Sequence, residues 1–128
     1  MTTKTRFHAD DMLPLTPLSF HILLALADND RHGYGIIKEV RDRTNGEVNP
    51  GAGTLYAAVQ RMLDDALIVE TNDRPATGHD ERRRYYRLTA LGRQVARAEA
   101  LRLARVIRIA SDKKLIPELR FAPGGTAE

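Results

Sequence analysis

The chain has 128 residues, 42% hydrophobic and 29% charged, a globular balance with room for one compact domain plus one extra element. It has no cysteine, which excludes disulfides and thiolate chemistry and makes a reducing cytoplasm the expected compartment. No apolar run approaches the roughly 18 residues of a membrane helix, the polar N-terminus reads as no secretory signal, and a net charge of only +3 shifts any electrostatic argument to where the arginines lie.

Residues 1–13 read as a flexible N-terminal arm. Thr16-Pro17 is a helix start, with threonine as the cap and proline at the first helical position, where no donor is lost. Leu18, Ile22, Ala25 and Leu26 follow at helical spacing, predicting a first helix over 17–28, ended by the Asp28-Asn29-Asp30 turn. His32-Gly33-Tyr34-Gly35 opens a second helix, 33–44. Its apolar face is Ile36, Ile37 and Val40, and Asn45-Gly46 stops it. Gly51-Ala52-Gly53 makes a tight turn into a third helix, 53–66. There Leu55, Ala58, Val59, Met62, Leu63 and Ala66 share one side, Thr54, Ala57, Gln60, Arg61 and Asp64 the other, and Tyr56 the border.

The period then changes. Residues 67–71 are β-branched and predict a strand, residues 72–81 a polar loop, and residues 83–88 a second strand. Alternation along that strand predicts one of Tyr85 and Tyr86 in the core and the other exposed. Thr89 caps a last helix over 89–112, about 36 Å long at ~1.5 Å per residue. Three helices, a hairpin and a long helix make a mainly α (α+β) chain: a winged helix-turn-helix over 14–88, a C-terminal dimerisation helix region over 89–116 and a disordered tail over 117–128. The last helix is longer than a three-helix core needs. Its apolar arc of Leu91, Val95, Ala96, Ala100, Leu103, Val106, Ile107 and Ala110 is therefore read as a homodimer seam.

The segments His32-Gly33-Tyr34-Gly35-Ile36, Gly53-Thr54-Leu55-Tyr56, Leu67-Ile68, and Arg84-Tyr85-Tyr86-Arg87-Leu88-Thr89 followed by Gly92-Arg93 stand in the order and separations of the PadR-like transcriptional regulators. The chain resembles that family over about residues 13–112. It departs at Ala57, where members usually carry proline, and at Ala66, where they usually carry glycine; neither position has a demanding chemical role. The single C-terminal helix resembles the smaller subgroup. The resemblance implies a homodimer on a roughly palindromic operator, usually a repressor, that a small-molecule effector or stress signal releases.

On this reading double-stranded DNA is the partner and the third helix enters the major groove N-terminus first. Gly53 lets the backbone approach. Thr54 meets a phosphate or a thymine methyl, and Tyr56 a phosphate. Gln60 suits adenine, and Arg61 guanine or phosphate. Arg74, His79, Arg82, Arg83 and Arg84 of the wing supply contacts that carry no sequence information.

Tyr34 and Lys38, at the start of the second helix, are further DNA candidates, although Tyr34 reads equally as a packing residue. Arg97, Arg102, Arg105 and Arg108 read as a solvated helix face. No catalytic constellation, metal-spaced cluster or phosphate loop stands out, so no enzymatic activity, cofactor or metal is expected. The alternative is a winged-helix protein-interaction module without specific DNA binding, which would carry an exposed apolar patch in place of a continuous positive face.

Overall fold

The computed structural model describes residues 9–72 and 84–117. A 3₁₀ turn, Ala9–Met12, is followed by α1 (Pro17–Ala27), β1 (Arg31–His32), α2 (Gly33–Arg43), α3 (Ala52–Asp64), β2 (Ile68–Thr71), β3 (Tyr85–Leu88) and α4 (Ala90–Asp112). Three helices precede a strand pair and a long last helix, the winged-helix order that the sequence predicts. The wing loop with Arg74, His79, Arg82 and Arg83, and nearly all of the tail, lie outside the described residues.

Side chains cap three of the four α-helices at their N-termini. Thr16 Oγ1 accepts from the Ser19 N–H at 3.1 Å, with Pro17 in the first turn of α1. Thr89 Oγ1 accepts from the Gly92 N–H at 2.9 Å. On α2 the cap is His32, whose Nδ1 accepts from the Gly35 N–H at 3.0 Å. Such bonds satisfy donors that the first helical turn leaves without a partner.

The other ends are equally regular. After α2, Asn45 and Gly46 donate to Asp42 O and Arg41 O; after α3, Ala66 and Leu67 donate to Leu63 O and Met62 O; after α4, Lys114 and Leu115 donate to Ser111 O and Ala110 O. Each pair is a Schellman motif, which places its pivot residue in the left-handed region. The pivots are Asn45 at φ 54°, Ala66 at φ 62° and Lys114 at φ 63°. Position 66 therefore carries a backbone demand that reading it as merely undemanding chemistry overlooks: Cβ crowds the carbonyl there at a cost of about 1–2 kcal/mol.

The core combines Ile22, Leu23 and Leu26 of α1, Ile36 and Val40 of α2, and Leu55, Val59 and Met62 of α3 with Ile68, Tyr86, Leu88 and Val95. It is mainly aliphatic, with Tyr86 the one aromatic ring of the cluster among the described residues. Two cations from outside α1 finish that helix. Arg31 Nε donates to Ala25 O at 2.7 Å and Arg93 to Ala27 O at 3.2 Å, where the helix dipole favours positive charge.

The sheet has three strands in the order β1-β3-β2. β1 is absent from the sequence reading because two residues carry no period. The expectation of one buried and one exposed tyrosine is also overturned. β3 is the central strand, pairing Tyr85 with His32 and Tyr86 with Arg31 on one side, and with Thr71 and Glu70 on the other. Both phenol rings are buried, Tyr85 at 8% and Tyr86 at 4% exposure, and Tyr85 meets the His32 ring edge-on at 5.2 Å.

α4 divides along its length. Val95 at 0% and Ala96 at 8% exposure belong to the chain's own core, and Leu91 packs against it. These three predicted seam residues are used within the chain, because α4 is the lid of the core before it is anything else. Beyond residue 99 the same side of the helix carries half-buried Leu103 and Ala110 and exposed Val106 and Ile107; Ala100 is exposed too.

The 3₁₀ turn packs on α4, with Ala9, Met12 and Leu13 against the core, so residues 9–13 are docked where an arm is expected. The docking has a polar pin. Glu99, 2% exposed, accepts from the Leu15 N–H at 3.2 Å and from Arg102 at 2.7 and 2.9 Å. Arg102 is thus a partner of a buried carboxylate rather than a purely solvated charge.

Two predictions follow from this architecture. Ala66→Gly relieves the pivot and should raise the unfolding free energy in urea by about 0.5–1 kcal/mol after the entropy that glycine adds to the unfolded chain; an unchanged or lowered midpoint counts against the strain. The Arg102 hydrogen bonds, and then the Leu15 N–H, hold the Glu99 carboxyl below its ordinary value against the opposing effect of burial. A depressed carboxyl contributes stability above its unfolded pKa, about 4.3, and loses it as pH falls through the folded value. The Tm of Glu99→Gln should therefore lie below that of the parent chain at pH 7 and converge with it in acid; a gap independent of pH would oppose this account.

Candidate nucleic-acid interface

α3 exists as a helix because one side of it is core. Leu55, Ala58, Val59 and Met62 are between 0% and 3% exposed and recur at helical spacing. That burial turns the opposite side outward: Gly53, Thr54, Tyr56, Ala57, Gln60 and Arg61 are all exposed. Its N-terminal residue, Gly51, supplies no side-chain cap, unlike those of the other three α-helices. The first-turn N–H groups of α3 are therefore left to an external acceptor, and the dipole there favours an anion.

Tyr56 has a specific seat. A Cβ on Gly33 would overlap the Tyr56 hydroxyl and ring, so the tyrosine ring of α3 lies against the bare backbone at the start of α2. Gly33 is buried and is not in a left-handed conformation; its missing side chain is what the packing uses. Tyr56 remains 47% exposed. Tyr86 lies nearby: its phenol is pushed above the ordinary tyrosine value mainly by burial, and secondarily by Tyr56 and Glu70. Gly33, Tyr56 and Tyr86 thus join α2, α3 and β3. The sequence shows Gly33 only as one of two flanking glycines, with nothing to say which of them seats a ring.

The remaining predicted contacts fall into separate groups. Tyr34 is 54% exposed, and its ring stacks on His32 with centroids 6.5 Å apart, so it is held at the surface rather than packed in the core. Lys38 reaches Asp42 at 3.1 Å; that lysine's hydrogen bond is the main reason the Asp42 carboxyl lies below its ordinary value. Gln60 donates to Asp64 Oδ1 at 3.1 Å and must release that bond to meet a base edge. Arg61 projects from α3 with no recorded ion pair among the described residues. Arg84, the one predicted wing contact that is described, is exposed and lies 3.8 Å from Glu70. The structure thus gathers Gly53, Thr54, Tyr56, Gln60 and Arg61 on one face of α3, with Tyr34 beyond the Gly33 seat. No group of three or more metal-ligating side chains occurs among the described residues, and no described helix is long and apolar enough to cross a membrane.

Comparison with known proteins agrees with the winged-helix fold. Residues 22–98 match the model of the transcriptional regulator PadR-like family. An uncharacterized protein of Lysinibacillus sphaericus is 36% identical over 72 residues, 56% of this chain, and the match spans 64% of that relative's own length. The crystal structure of a PadR family transcription regulator from Clostridium difficile is 28% identical, with a TM-score of 0.62 over 76% of this chain and 97% of that one. Bacillus subtilis PadR in complex with operator DNA has the same fold at 17% identity, with a TM-score of 0.53 over 90% of this chain and 55% of that one.

The Gly33 seat yields a direct test. Gly33→Ala should destabilise the chain by about 1–3 kcal/mol through overpacking. The same substitution made in a Tyr56→Ala background should cost far less, because the atoms it strikes are gone. Additive losses in urea unfolding would show that the two residues do not meet.

Proposed function

This chain belongs to the PadR-like family of transcriptional regulators, and we propose that it binds duplex DNA as a homodimer, reading sequence with the outward face of α3. The observation that carries the reading is the uncapped N-terminus of α3 with Thr54, Gln60 and Arg61 exposed beside it: donors for phosphate at the helix end, and base-reading side chains behind them. Asp64 and Asp65 at the far end favour entry by the N-terminus. The wing arginines Arg74, Arg82, Arg83 and Arg84, with His79, add the sequence-independent attraction, and Tyr34 and Lys38 extend the contact from α2.

The second copy joins through the far half of α4. Leu103, Val106, Ile107 and Ala110 continue the side of the helix that the core uses earlier, and Val106 and Ile107 are 51% and 39% exposed, a geometry suited to a helix pair. Repression in the cytoplasm and release by a small molecule complete the proposal. In support of an effector, a cavity of about 410 Å³ lies between α1 and α2, lined by Leu24, Val40, Glu39 and Arg43 among others. No catalytic step is assigned.

The division of labour is measurable by fluorescence anisotropy, using a genomic site that the protein occupies and a random duplex of equal length. Arg61→Ala should reduce the discrimination between them by about 1–3 kcal/mol. Arg82→Ala should weaken both alike and lower the salt dependence of binding by about one counterion. Identical losses of discrimination from the two variants would overturn the assignment of α3 as the reading element.

A further inference from the structure

The outer side of α4, opposite the side that meets the core, carries Arg97, Leu101, Arg105 and Arg108. They fall at i, i+4, i+8 and i+11, one stripe about 16 Å long over three turns. All four are exposed, and Leu101 is 49% exposed. The three arginines form no hydrogen bond or ion pair among the described residues. Of the two acids of α4, Glu99 is buried and held by Arg102, which leaves only the exposed Asp112 beyond Arg108.

We propose that this stripe is a docking surface for an acidic amphipathic segment of another protein, one in which glutamates or aspartates flank an aliphatic side chain at helical spacing. Charge complementarity identifies the sign of the partner: three unpaired guanidiniums call for carboxylates, which they can bind bidentately. A second copy of the same face would set arginine against arginine. Leu101 identifies the class. It stands one turn from Arg97 and from Arg105, where a phosphate backbone has nothing to offer it but a leucine, isoleucine or valine removes it from water.

Position agrees with this choice. α4 covers the core from the side of α1, β3 and the 3₁₀ turn, whereas α3 packs on α2 and β2, so the two polar faces look outward from different sides. The apolar residues Leu103, Val106 and Ile107 lie on the other side of α4, and pairing through them leaves the arginine stripe open. The surface is thus distinct from the DNA-reading face and does not depend on it.

The probe is a synthetic helical peptide with glutamates flanking one leucine at four-residue spacing. Its controls are the Glu→Gln peptide, the Leu→Ala peptide and a random-sequence duplex, all titrated at low salt against the full chain. The parent chain should bind the acidic peptide roughly tenfold more tightly than the Glu→Gln peptide. The triple variant R97Q/R105Q/R108Q should lose that preference while keeping its mass by light scattering and its affinity for the duplex. Leu101→Ala should weaken the acidic peptide several-fold and leave the Leu→Ala peptide unaffected. Equal peptide binding by the parent and triple variant overturns the proposal. So does an equal loss of duplex binding, which assigns the stripe to phosphate, and so does an indifferent Leu101→Ala, which reduces it to a general polyanion surface.

Discussion

The fold hangs on one joint, where the end of α3, the base of the two paired strands and the start of α4 share two peptide units. The Thr89 hydroxyl donates to Ala66 O at 2.7 Å and accepts from the Gly92 N–H, while the Thr89 N–H donates to Leu67 O at 3.0 Å. Gly92 lies so close that any Cβ there would overlap the Leu67 carbonyl. A single threonine therefore caps one helix and holds the exit of another, and a glycine lets the two backbones approach. The left-handed turn at Ala66 delivers the Leu67 carbonyl to this point. The direction of the exposed face of α3, the base of the strand pair and the axis of α4 all follow from the same few atoms.

Much of this was legible in the sequence, for physical reasons. Thr16-Pro17 and Thr89 announce helix starts because few residues can cap a free N–H. Asn45-Gly46 announces a stop because few accept a positive φ. The buried side of α3 shows in its period because a helix that must cover a core has no other way to do so. Gly92 was visible as part of a motif, though its reason, a carbonyl in the way of a side chain, requires the packed chain.

Other features were not legible. β1 is two residues long, too short for any alternation to show, yet it converts β3 from an edge into a centre and sets the His32 ring against Tyr85. Gly33 and Gly35 look alike in sequence; only the ring of Tyr56 distinguishes them. The apolar arc of α4 is continuous in sequence, while its use is not: Val95 and Ala96 are spent on the chain's own core and Val106 and Ile107 are left outside. Periodicity reports that a face is apolar and is silent on what lies against it. Of Glu99 only the i,i+3 spacing to Arg102 showed; its burial and its bond to a backbone N–H 84 positions away did not.

The continuity of α4 has a mechanical consequence. Its N-terminal half is bolted to the Thr89 joint and the core, and its C-terminal half projects beyond them as one unbroken rod of 23 residues, about 35 Å long. A rod held at one end is a lever. A rotation of roughly 5° where the held half ends displaces the far end by about 1.5 Å. In the homodimer proposed above, the two α3 faces would be aimed through two such levers in series, and their relative placement would be sensitive to small events at Leu67 and Gly92.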